Sequence, residues 1–178
     1  MRMPKSRLHC YNSDYIIFFD LLTKIKTKYK INGFQPLWNC QTIEVRGKIY
    51  LTGGGVPQSS TEYQKCTLIL NEEEMKLDKK ADMNFERDAH GITSWLGQYI
   101  VVVGSWHVKE NLKKCEIYNI QENHWDMLPD LNNETCAPGV VLVKNRYLYK
   151  IGGNVNIRKI EYIDLYHPYY WTNMNVTN

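Results

Sequence analysis

With 178 residues, 43% hydrophobic and 23% charged, the chain has enough apolar side chains for a packed core, which excludes general disorder. A net charge of +3 is too small to argue for nucleic acid. The longest apolar runs, Tyr15 to Phe19 and Tyr99 to Val103, fall far short of the about twenty residues a membrane-spanning helix needs, so no membrane segment is expected. The basic start Met1 to Arg7 leads into His9, Asn12, Ser13 and Asp14, not into the apolar stretch of a secretory signal. Cysteines at 10, 40, 66, 115 and 136 are odd in number and have no Cys-x-x-Cys spacing, as expected of reduced thiols in a cytoplasmic chain.

In chain order, the first predicted strands are Tyr15 to Asp20 and Thr23 to Ile31. In the second, Lys24, Lys26, Lys28 and Lys30 alternate with Ile25, Thr27 and Tyr29, so a strand places all four charges on one face. The plain reading is an outer strand whose charges discourage edge pairing. The sharper one is a contact with an anionic surface, since residues 1–50 carry nine basic and three acidic side chains.

From residue 39 onward the chain repeats. Lys48-Ile-Tyr-Leu-Thr-Gly-Gly54, Tyr99-Ile-Val-Val-Val-Gly-Ser105 and Tyr147-Leu-Tyr-Lys-Ile-Gly-Gly153 begin 51 and then 48 residues apart. Each is a β-branched and aromatic run closed by small residues. Each follows an apolar segment and a turn: Thr42 to Val45 with Arg46-Gly47, Gly91 to Leu96 with Gly97-Gln98, and Gly139 to Val143 with Lys144-Asn145-Arg146. These pairs read as hairpins with Gly or Asn where positive φ is needed. Third strands are predicted at Thr67 to Asn71, Cys115 to Asn119 and Ile160 to Asp164. Short fourth strands follow around Met75 to Leu77, His124 to Met127 and Trp171 to Met174. Four strands per unit of about fifty residues, with no helical period, predicts an all-β array of antiparallel blades.

The glycine pairs Gly53-Gly54 and Gly152-Gly153 (Gly104-Ser105 in the middle unit), Tyr118-Asn119, and Trp125 and Trp171 six or seven residues beyond Asn119 and Asp164 together resemble kelch repeats. Met83-x-x-x-Arg87-x-x-His90 resembles the lead-in to a new kelch blade. The resemblance covers roughly residues 14 to 178 and implies a β-propeller of four-stranded blades. It divides the chain into an N-terminal half-blade over 1–38, with third and fourth strands only, and repeats over 39–81, 82–131 and 132–178. Three complete repeats and a half do not close a ring of four to eight blades. The expectation is therefore an incomplete ring or a fragment of a larger propeller, a half-propeller completed by another subunit (two copies giving about seven blades), or an open arc covered in an assembly.

The signature residues read as structural. The glycines permit sharp turns and close approach, and no helix start follows Gly55 to make a phosphate cradle. Trp125 and Trp171 read as fillers between blades, and Arg87 and His90 as hydrogen-bonding groups between blades. No nucleophile pattern accompanies His90, and His9, His107, His124 and His167 lack metal-ligand spacing, so neither a catalytic group nor a cofactor or metal is expected. One kelch propeller, galactose oxidase, is a copper enzyme; the resemblance implies that the fold can hold a metal, the remote alternative of a metal-dependent oxidase. Loops after the glycines supply the candidate partner-binding residues Tyr63, Trp106, His107 and Arg158, as the resemblance implies. The expected function is a non-catalytic protein–protein interaction module, a scaffold or structural subunit of a cytoplasmic assembly, cytoskeletal or ciliary. The alternative is the substrate-recognition part of a ubiquitin-ligase adaptor, a role in which kelch propellers are usually joined to BTB and BACK domains. The partner is another protein that completes or covers the blades.

Overall fold

The computed structural model describes residues 7–12 as a strand, together with 15–32, 37–57, 59, 61–106, 113–154 and 158–174. Everything described is strand, turn or loop. The first sheet contains β1 (Arg7–Asn12), β2 (Tyr15–Asp20) and β3 (Lys26–Lys30). The second contains β4 (Gln41–Val45), β5 (Lys48–Thr52), β6 (Thr67–Asn71) and β7 (Lys76–Lys79). The third has β8 (Gly91–Trp95), β9 (Tyr99–Val103), β10 (Cys115–Asn119) and β11 (His124–Leu128). The fourth has β12 (Gly139–Val143), β13 (Tyr147–Ile151), β14 (Ile160–Asp164) and β15 (Thr172–Met174). Within each sheet every strand pairs antiparallel with its sequence neighbours.

The first sheet has one strand more than the sequence pattern predicted. β1 lies beside β2 in full register from Arg7 with Asp20 to Asn12 with Tyr15. It occupies the place of a second strand, so the first sheet lacks only an innermost strand among the described residues. The polar character of this segment hid the strand, because pairing with β2 and not an apolar pattern defines it. The lysine prediction holds for β3, whose exposed Lys26, Lys28 and Lys30 alternate with half-buried Thr27 and Tyr29. Lys24 departs from it and sits in the preceding turn at φ 61°. Met75 likewise belongs to a turn, at φ 49°.

Turn chemistry explains why the strands end where they do. Arg46 and Gly47 both take positive φ, which suits a two-residue hairpin between β4 and β5. At the other hairpin of the first three sheets, an Asx side chain at the end of the third strand accepts two backbone N–H groups of the turn. Asp20 Oδ1 accepts from Leu22 and Thr23, Asn71 Oδ1 from Glu73 and Glu74, and Asn119 Oδ1 from Gln121 and Glu122. Those bonds hold the Asp20 carboxyl below its ordinary range.

Between the four sheets lie three cores, one per junction. The first joins Ile16 and Phe18 to Ile49, Leu51, Leu68 and Leu70. The second joins Val45 and Tyr50 to Ile100, Val102, Tyr118 and Trp125. The third joins Val101, Val103 and Cys115 to Leu148, Ile163 and Trp171. Each sheet thus buries one face against the sheet before it and the other against the sheet after it, with the two end sheets each keeping one face open.

Candidate interaction site

The signature residues lock the junctions. Trp125 fills the gap between the second and third sheets, and its Nε1–H lies 2.9 Å from Thr67 Oγ1 and 3.1 Å from Ala81 O. Trp171 repeats this at the next junction, donating to Pro129 O at 2.9 Å. Tyr118 is buried beside Trp125 and donates its hydroxyl to Asn123 Oδ1 at 2.7 Å. His90 spans its junction, with Nε2 2.8 Å from Thr52 Oγ1. Burial, helped by the neighbouring Arg87 charge, pushes its imidazole down to about 3, so it is neutral.

Arg87 turns its guanidinium into its own blade. Nη2 meets Glu116 Oε1 at 2.8 Å, and Nη1 donates to Gly104 O at 2.9 Å and Lys114 O at 2.7 Å. Its backbone reaches the preceding blade, the carbonyl accepting from Gly54 N–H at 2.7 Å and the N–H donating to Gln64 O at 3.0 Å. Glu116 also accepts from the Asn84 and Phe85 N–H groups, so the buried carboxylate is fully held. In the fourth sheet Glu161 keeps the acid while Thr135 replaces the arginine. There Lys150, on β13, supplies the buried cation 3.8 Å from Glu161. Sequence reading missed both acids, because a single Glu inside a strand looks like a solvent-facing residue.

The glycines are required by crowding. A Cβ on Gly53 would stand 2.4 Å from Arg87 O, and one on Gly153 2.3 Å from Thr135 Oγ1. Gly104 and Gly152 share the positive φ of Gly53. Where Gly54 would recur, Ser105 offers its Oγ to the Asp88 N–H at 3.2 Å.

These glycine ends define a loop face. The loop leading into each blade pairs with the residue after that blade's glycines: Trp38 with Gly55 in both directions at 2.8 Å, Asp88 O with Trp106 N–H at 2.7 Å, and Cys136 O with Asn154 N–H at 2.8 Å. Adjacent pairs are cross-linked, with Asn39 Nδ2 donating to Asp88 Oδ2 at 3.3 Å and Ala89 N–H donating to Asn39 O at 3.2 Å. Trp38 is 59% exposed and Trp106 49% exposed. Between their pairs, burial pushes the Asp88 carboxyl up, and its Oδ1 is buried without a hydrogen-bond partner. Two indoles and a carboxyl therefore sit on one rigid backbone lattice.

Of the four loop candidates, Trp106 is on this exposed face. Tyr63 is buried instead, packed beside Gly55 and bridged to it through the backbone, so it shapes the loop from within. Arg158 is exposed on the fourth blade's loop. His107 lies outside the described residues. Trp38 was missed by the sequence reading, because it precedes β4 in a segment with no strand pattern. Its backbone pairing with Gly55 is a tertiary fact. Among the described residues, no group of three His, Cys, Asp or Glu is placed to hold a metal, and no helix is long and apolar enough to cross a membrane.

No protein-family model matches the chain. It is similar to a RING finger domain and kelch repeat-containing protein of Dictyostelium discoideum, 25% identical over 147 residues. That match takes in 82% of this chain and 14% of the relative, so the chain spans about one-seventh of the relative's length. A relative named for its kelch repeats agrees with an architecture of one three-stranded and three four-stranded antiparallel sheets.

Proposed function

We propose that the chain is a non-catalytic scaffold that holds another protein on its loop face, as part of a larger cytoplasmic assembly. The observation that carries this is the exposure of Trp38 and Trp106 on adjacent, mutually hydrogen-bonded loop pairs flanking Asp88. Large aromatics held rigidly in water are the side chains that anchor partners, since little conformational entropy is lost on binding. Two exposed indoles favour a partner presenting Arg or Lys, through cation–π contact.

A second reading is the substrate-recognition part of a ubiquitin-ligase adaptor. It is favoured by the relative's name, which joins a RING finger domain to kelch repeats. Affinity purification with mass spectrometry of partners tests both. Trp38→Ala/Trp106→Ala is expected to lose the principal partner while keeping the wild-type far-ultraviolet signature; retention of every partner sinks the loop-face reading. Cullin-type or ubiquitin-conjugating partners support the adaptor, and tubulin or other structural proteins support the scaffold.

A further inference from the structure

The two open sheet faces at the ends of the array are related to each other through the repeat. Ile151 ends the second strand of its blade just before the glycines, as Thr52 and Val103 do. Those two are 0% exposed, covered by the following blade, whereas Ile151 is 44% exposed. At the other end, Leu21 follows Asp20 as Leu165 follows Asp164. Leu165 is 4% exposed, buried against the blade before it, and Leu21 is 38% exposed. Both positions are junction positions that nothing in the described chain covers.

The chemistry of the faces selects the occupant. Ile16 and Phe18 form the face of the first sheet that the second sheet covers with Leu68 and Leu70. Ile160 and Tyr162 are their counterparts on the open face of the fourth sheet, again isoleucine followed two residues later by an aromatic. Ile17 and Phe19, on the open face of the first sheet, are the counterparts of the covering Leu68 and Leu70. Position 17 is also where the third and fourth sheets carry Glu116 and Glu161, each of which needs its lead-in loop to satisfy a buried carboxylate. An isoleucine there can be buried with no such loop.

We propose that the open face of the fourth sheet is covered by the open face of the first sheet of a second copy, and the reverse, so that two copies close head to tail into one ring. Four sheets from each copy give eight blades, within the range of closed propellers. Lys26, Lys28 and Lys30 share the first sheet's face at its outer rim. There Lys79 of the covered second sheet also remains in water, paired with Asp82. This closure is independent of the loop-face reading, because neither open face contains Trp38 or Trp106.

Native mass spectrometry of the full chain, with Leu21→Asp and Ile151→Asp variants, tests the proposal. The wild type is expected at twice the 21.0 kDa chain mass and each variant at the single-chain mass. An equimolar mixture of the two variants is expected to regain a two-chain species holding one of each, since it restores one wild-type junction. A single-chain wild type, a species of three or more chains, or a mixture that stays single-chain overturns the proposal. So does a variant that remains dimeric. If either variant loses the far-ultraviolet signature of the wild type, Ile17→Lys and Val141→Lys, on the same two faces, replace them under the same criteria.

Discussion

At the scale of single residues, two kinds of position behave differently from what their type alone implies. Gly153 combines φ 112° with a virtual Cβ 2.7 Å from Cys136 O, while Gly47 has φ 76° and open space around it. Gly153→Ala is expected to cost about 3 kcal/mol and Gly47→Ala about 1 kcal/mol in urea unfolding, because only the first adds a backbone collision to left-handed strain. Equal costs would show that crowding does not decide the glycine pairs. His90 is the second case. Its folded value of about 3 lies below the ordinary 6.5, so the unfolded chain takes up the proton that the folded one refuses. His90 therefore leaves stability intact above about pH 6.5. Below that it erodes stability, by up to about tenfold in the folding constant per pH unit. His90→Gln is expected to flatten the decline between about pH 6.5 and 5; an unchanged slope assigns the decline to other groups.

At the scale of elements, the repeat tolerates exchange of whole interactions. The second sheet has Leu68 where the third has Glu116 and the fourth Glu161, and the cation comes from Arg87 in one blade and Lys150 in another. Burying the acid therefore serves its own blade's lead-in loop and is no condition of blade packing. Arg87→Met alone is expected to cost about 3–5 kcal/mol, because it strands a buried carboxylate. Adding Glu116→Leu should return part of that loss, although Asn84 and Phe85 lose an acceptor. A double-mutant cycle in denaturant measures the coupling, and simple additivity would contradict it. The strand pattern itself was legible at this scale. The predicted Thr67 to Asn71, Cys115 to Asn119 and Ile160 to Asp164 are the observed third strands, because β-branched alternation and Asx turns are local signals. β1 was not legible, since it is a strand through pairing with β2.

At the scale of the whole molecule, the second and third sheets are covered on both faces and the first and fourth on one. In the single-chain Ile151→Asp variant, hydrogen exchange is expected to be slowest in β5, β6, β9 and β10 and fastest in β1 and β15, in the manner of stacked repeats. Uniform protection across the four sheets would contradict an open array. The loop face follows the same logic: Trp106 could be suspected from its place after Gly104, whereas Trp38 and Asp88 join it only through backbone bonds between loops far apart in sequence.

Local periodicity and turn chemistry determine blades by themselves, since a hairpin's register depends on residues within a few positions of its turn. Thus the repeat length, the strand order within a blade and the structural role of Gly53, Trp125 and Trp171 are properties of the sequence. The tertiary structure alone decided that Tyr63 is buried and Trp38 exposed, that Glu116 and Glu161 are held by lead-in loops, and that Leu21 and Ile151 occupy junction positions left uncovered. The reason is that burial depends on the neighbouring blade, about fifty residues away, and no local pattern encodes whether that neighbour is present.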